Sequence, residues 1–150
     1  MAQTTSGKSA RNAVVEFSVN GSSWTDCSGV ANSIKWDGGE RETGNTHTFD
    51  GDTPVHTRGK RGESTAVLSA IYTESGSEVA RLAHAAWKNG TDFYLRWAPL
   101  GSTTGNIRYT TTAGTVKNPV VPTEVQADSG DTLMVEISLE CADIADAAIP

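Results

Sequence analysis

A chain of 150 residues and 15.8 kDa is sized for a single domain with its own core. Only 37% of it is apolar, 15 residues are Gly, and four Trp, three Tyr and three Phe are too many for a disordered chain, so it reads as a folded, turn-rich, β-leaning domain. The net charge of −6 has the wrong sign for a tight nucleic-acid binder, although it does not exclude a protein that merely surrounds DNA.

No run reaches the 18 or more apolar residues of a membrane-spanning helix. Residues 1–12 are polar, carry Lys8 and Arg11, and lack the apolar stretch of a signal peptide. Synthesis and assembly in a cytosol are therefore expected. Cys27 and Cys141 have no CxxC or metal-ligand spacing and read as two buried, reduced thiols.

The organisation is an N-terminal arm (1–12), a body (13–140) and a C-terminal arm (141–150). The body opens with Val15, Phe17 and Val19 alternating with Glu16 and Ser18, the period of a half-buried strand. Asn20-Gly21 predicts a tight hairpin turn. A short return through Trp24 leads to a strand on which Val30, Asn32, Ile34 and Trp36 alternate.

Residues 37–63 carry no core pattern, and a connection this long is usually functional or ordered by a partner. If the part between Thr43 and Phe49 is extended, the segment becomes a long protruding hairpin. Ser64 to Tyr72, with Val67, Leu68, Ile71 and Tyr72, predicts a strand. Ser75-Gly76-Ser77-Glu78 has the spacing of a capping box, in which the serine hydroxyl and the glutamate satisfy free helical amides. A helix over 76–89 follows, with Val79, Leu82, Ala83, Ala86 and Trp87 inward and Asn89-Gly90 closing it.

Phe93, Leu95 and Trp97 then alternate, as do Ile107, Tyr109 and Thr111 beyond a turn at 101–105. A further strand is expected over 115–121, interrupted by Pro119 and Pro122, which suit only an edge or a bend. Asp128-Ser129-Gly130-Asp131 turns into Leu133, Val135, Ile137 and Leu139, whose opposite face carries Glu136, Ser138 and Glu140. The expected fold is mostly β, a sandwich or barrel subunit with one flanking helix and a long protruding loop.

Known chemical signatures are not found. Gly39-Glu40-Arg41-Glu42-Thr43-Gly44-Asn45-Thr46 approaches a phosphate-binding loop but has Asn45 where the lysine must stand. Asp50-Gly51-Asp52 and Asp128-Ser129-Gly130-Asp131 lack the ligand number of a calcium loop and are explained by turn chemistry. His47, His56 and His84 have no recognisable ligand spacing, with His84 expected on the helix surface. No nucleophile elbow or HExxH occurs. No catalytic residue, cofactor or metal is assigned, and the protein is not read as an enzyme.

The charges on the long loop are its informative feature. Arg58, Lys60 and Arg61 read as a solvated run, as cations pairing with acids such as Glu40, Glu42, Asp50 or Asp52 on another copy, or as a nucleic-acid contact. Pairing is favoured because both signs occupy one loop that cannot bury itself. A carbohydrate-binding sandwich using Trp24, Trp36 or Trp97 is the rival class, although Trp36 and Trp97 fall on apolar strand faces.

Four stretches carry a resemblance: 15–26, 39–44 with 49–54, 94–99, and 127–131 leading into the last strand. In order and spacing the chain resembles the major tail tube proteins of long non-contractile-tailed (siphovirus-type) bacteriophages. The resemblance implies hexameric rings stacked into a hollow tube, with four strands per subunit in an inner barrel. It also implies that the long loop, with Glu40, Arg41, Glu42, Asp50, Asp52, Arg58, Lys60 and Arg61, and the arms bridge subunits and rings.

The implied partners are further copies, a tape-measure protein, tail assembly chaperones, and terminator and tip proteins. DNA would traverse the lumen without specific binding, nothing would insert in a membrane, and the protein would sit in the virion tail after assembly in the host bacterial cytoplasm. Tubes of contractile tails and of secretion-type injection systems share the fold and stay open as alternatives.

Geometry permits this. About 24 strands spaced about 4.8 Å and tilted about 40° enclose a backbone diameter of roughly 48 Å and a bore near 38 Å, wide enough for a duplex of about 20 Å. A hexamer of such chains carries −36, six times −6, and lining cations would add phosphate contacts that slow DNA. Glu136, Ser138 and Glu140 either line that bore or face outer solvent.

Overall fold

The computed structural model describes residue 4, residues 6–128 and residues 130–150. Among the described residues eleven strands and one α-helix form two packed sheets and a separate hairpin. The strands are β1 (Val14–Ser18), β2 (Thr25–Asp26), β3 (Ala31–Asp37), β4 (Arg41–Thr46), β5 (Val55–Arg61), β6 (Ser64–Ile71), β7 (Tyr94–Ala98), β8 (Ile107–Thr111), β9 (Gly114–Val116), β10 (Met134–Cys141) and β11 (Ile144–Ala148). The helix α1 (Val79–Asn89) lies between β6 and β7 in sequence. One sheet runs β11-β8-β7-β1-β2 and the other β3-β6-β10-β9, while β4 and β5 pair only with each other.

The core forms where the period-two faces of the two sheets meet. Val15 opposite Trp97 and Phe17 opposite Leu95 supply one wall. Ala66, Leu68 and Ala70 of β6 and Val135, Ile137 and Leu139 of β10 supply the other. Phe17 and Phe93 stack with centroids 5.8 Å apart, and α1 packs over β9 and β10 through Val79, Ala80, Ala83 and Ala86. The expected mostly-β architecture with one helix is what the chain adopts.

Several local expectations differ. β1 ends at Ser18, leaving Val19 half out in solvent, because Ser18 is buried and caps the turn: its hydroxyl accepts from the Asn20 and Gly21 amides. Asn20-Gly21 is not a two-residue hairpin. Asn20 Oδ1 accepts from the Ser22 and Ser23 amides in an Asx-type turn, only Gly21 takes positive φ (77°), and Phe17 pairs with Thr25 across a longer loop.

On β6 the small residues Ser64, Ala66 and Ala70 face inward with Leu68, while Val67 and Ile71 point the other way. The capping box is not formed. Glu78 is the N-cap without a side-chain cap bond, its amide donates to Ser75 O, and the helix starts at Val79 rather than 76. Gly90, in the left-handed region, closes it as expected. Trp87 is 38% exposed rather than core, and His84 is half-buried, its Nδ1 accepting from the Val120 amide at 3.3 Å.

Ile107 and Leu133 are exposed strand-end residues rather than core. The strand expected over 115–121 is shorter: β9 (Gly114–Val116) ends before Pro119 and Pro122 and lies at the sheet edge, and residues 141–150, read as an arm, hold β11 docked along β8. The 128–131 turn lies partly outside the described residues, at Ser129.

Candidate functional site

The long loop is the protruding hairpin β4–β5, and every residue of both strands is exposed except half-buried Gly44. Isolated two-stranded hairpins are marginal in water, so its base is fastened. Gly62 N–H donates to Glu40 O at 2.8 Å, Arg41 Nη1 donates to Gly59 O at 3.0 Å, and Gly39 sits at φ 77°. A Cβ on Gly39 would fall 2.5 Å from the carbonyl oxygens of Gly62 and Glu63, so only glycine lets the two strands enter this close.

The structure separates the charges that the sequence groups. Asp50 and Asp52 occupy the connection between β4 and β5, at the tip, while Glu40, Glu42, Arg58 and Lys60 lie along the stem. Arg61 pairs within its own chain with Asp143, between β10 and β11, in an exposed internal ion pair. Such a pair is worth under about 1 kcal/mol.

The second surface is the outer face of β3-β6-β10-β9. Register places Ser33, Ser69 and Glu136 in one row, Lys35, Val67 and Ser138 in the next, and Asp37, Thr65, Glu140 and Thr115 in a third. Glu136 is exposed, and Ser138 and Glu140 are half-buried. Lys117 Nζ lies 2.8 Å from Glu140 Oε2. Hydrogen bonds from Lys117 and Glu63 hold the Glu140 carboxyl below its usual range, and the same contact with Glu140 pushes Glu63 up. Lys35, Asp37 and Lys117 were missed in the sequence because only pairing register puts them on this face.

Both edges of this sheet are open. Among the described residues β3 has no neighbour beyond β6, and β9 meets a single bridge between Gly114 and Phe93. Open edges are templates for pairing with another chain.

The aromatic residues divide differently from expectation. Trp97 is buried, but Trp36 is 43% exposed and leans on Trp97 (5.1 Å) and Tyr109 (5.3 Å), bracketing the two sheets. Beside it opens a cleft of about 480 Å³ walled by Ala13, Ile34, Trp36, Trp97 and Pro99 with Arg11 at its margin. Trp24 is half-buried, and the Arg96 guanidinium stands 4.3 Å over its ring while binding Glu16 at 2.6 and 2.9 Å, so one face of the indole is already taken.

Cys27 and Cys141 are both buried free thiols. Burial, reinforced by the Asp26 and Glu16 carboxylates, pushes Cys27 up from 9.0 to about 12. The folded protein keeps a proton that the unfolded chain loses above its ordinary value. The resulting stability is therefore intact below pH 9 and fades as pH rises through about 12. Labelling with a thiol-disulfide reagent at pH 8 is expected to leave Cys27 unmodified until denaturant is added; stoichiometric labelling of the native protein at that position would contradict this. Among the described residues no three His, Cys, Asp or Glu side chains gather as a metal site, and no helix is long and apolar enough to cross a membrane.

No protein-family profile and no curated protein matches the sequence. The fold, however, is shared with solved structures. The chain is similar to one from the anti-feeding prophage baseplate, 6-fold symmetrised, at a TM-score of 0.70 and 10% identity over 99% of each chain. It is similar to a chain of the sheath-tube complex of an extracellular contractile injection system, at 0.63 and 14% identity, covering 92% of this chain and 89% of the other. It is also similar to a chain from the C6-symmetric tail of an empty gene transfer agent particle, at 0.67 and 7% identity over 96% and 100%.

Proposed function

We propose that this chain is a tail tube subunit, a structural rather than enzymatic protein that closes into hexameric rings and stacks them into a hollow tube for DNA passage. The observation that carries the reading is the four-stranded sheet β3-β6-β10-β9. One face is core, the other is mostly polar with Val67, Ile71 and Met134 among its side chains, and both edges are largely unpaired among the described residues, so the sheet of one copy can continue into the next and close as a barrel. The full-length similarity to chains from symmetric tails and sheath-tube complexes supports the same reading.

In such a barrel the rows of Glu136, Ser138 and Glu140 line the bore, joined by Asp37 and Lys35. Lys117 is neutralised by Glu140, which leaves few free cations to hold phosphate. The exposed hairpin charges Glu40, Glu42, Asp50, Asp52, Arg58 and Lys60 then meet other copies, with Arg41 bracing the stem. Tape-measure, chaperone, terminator and tip proteins complete the partner set, in a virion tail assembled in a bacterial cytoplasm. The sequence motifs favour the non-contractile kind of tail, although the fold extends to a contractile system; binding of a sheath protein to assembled tubes would reassign it.

Negative-stain electron microscopy over a concentration series, with light scattering on the same samples, tests the proposal. Rings or tubes with a central hole of roughly 38 Å are expected. A monomer at every concentration, even with a tail-tip complex added, would sink it.

A further inference from the structure

The hairpin tip carries one residue that its polarity does not explain. Phe49 is fully exposed and is held in a connection of otherwise polar or turn-forming residues, where Thr48 Oγ1 donates to Asp50 O at 2.7 Å. Burying an aromatic ring is among the larger gains available to an interface, and a solvated one at the end of a projecting arm is an anchor awaiting a pocket. β4 alone, with six residues at about 3.3 Å each, carries this ring roughly 20 Å outward.

The same chain presents a pocket of matching chemistry. The 480 Å³ cleft has mostly apolar walls with Ser28, Asn32 and Ser33 among them, an indole (Trp36) that is 43% exposed, and Arg11 in a lining that holds no carboxylate. Three other clefts, of about 250 to 390 Å³, contain acids: Glu124 and Asp131 in one, Asp26 and Glu78 in another, Glu136 in the last. Asp50 and Asp52 accompany Phe49 wherever it goes, so those three clefts repel the tip and the Arg11 cleft attracts it.

We infer that Phe49 of one copy inserts into the Trp36 cleft of a second copy, with Asp50 and Asp52 facing Arg11. This is a heterologous, head-to-tail contact: the patch that gives and the patch that receives are different, so each copy can do both and the contact propagates. The inference rests on the tube reading and names the residues that join one ring to the next.

The test uses the full chain. Phe49→Ala is expected to leave the melting temperature unchanged, because Phe49 buries nothing in its own subunit. It should raise the concentration needed for half-maximal assembly about tenfold or more. Arg11→Glu should weaken assembly, and combining it with Asp50→Lys and Asp52→Lys should restore it. Mixing Phe49→Cys chains with Ala10→Cys chains under oxidation should give a disulfide between unlike copies, Ala10 being an exposed residue of the cleft.

Tubes that form equally well from Phe49→Ala, with no cross-link in the mixed sample, would overturn this contact and leave the tube reading standing. A wild-type chain that stays monomeric, with no cross-link in the mixed sample of cysteine variants, would overturn both.

Discussion

Trp97→Ala is expected to lower the stability of the subunit by about 4 kcal/mol, a fall of roughly 12 °C in melting temperature for a domain of this size. Trp97 is 2% exposed, pairs across β1–β7 with Val15, and lies against Trp36 at 5.1 Å and Tyr109 at 5.9 Å. Trp36 belongs to the four-stranded sheet, whereas Trp97 and Tyr109 belong to the five-stranded one, so the cluster is a tie between sheets. The Trp97 indole N–H has no hydrogen-bond acceptor among the described residues, so the loss comes from packing and the cavity alone. Thermal unfolding followed by near-ultraviolet circular dichroism measures it. A change under 1 kcal/mol would mean the sheets are held elsewhere. Where the variant still folds, its assembly should also weaken, since the same tie sets how β3 is presented at the sheet edge.

Removing residues 42–60 and closing the gap with a short glycine-containing link should do the opposite. The melting temperature should change by no more than about 3 °C, because nearly all the deleted side chains are exposed and exposed groups contribute little. Tube formation should disappear. A milder version reverses only Arg58 and Lys60 to Glu. It leaves Arg61 in place, because reversing Arg61 would also break its pair with Asp143 and mix a folding effect with an assembly effect. Sedimentation of the assembled fraction and microscopy read the outcome. Normal tubes from the deleted chain would remove the hairpin from the inter-ring contact.

Much of the fold was legible because burial writes a period-two pattern wherever a strand has one dry face. Phe93, Leu95 and Trp97 are all buried as their alternation implies, and Val135, Ile137 and Leu139 face the core while Glu136, Ser138 and Glu140 face away. The hairpin was legible through the absence of such a pattern over 37–63. Errors arose where a short polar motif has several local solutions. Ser75-Gly76-Ser77-Glu78 forms a turn before the helix instead of a capping box, and Asn20 bonds forward amides instead of making a two-residue turn. β6 was expected as a strand, but its inward side could not be read, because alanine carries too little hydrophobic signal to outweigh Val67 and Ile71.

The sequence by itself determined the class of fold, the one helix and its glycine stop, the long polar excursion and the acidic balance, since each of these follows from local composition and period. Only the tertiary structure decided which strands neighbour one another, and so which residues share a surface. Lys35 and Asp37 of β3 are distant in the chain from Glu140 and share a face with it through the register of β3, β6 and β10. Arg61 finds Asp143, 82 residues away, and thereby leaves the group of free cations. The Trp36 cleft exists because one sheet leans on the other beside Ala13 and Pro99. Such arrangements are set by long-range pairing, whose energy depends on both partners at once, and no window of sequence contains both.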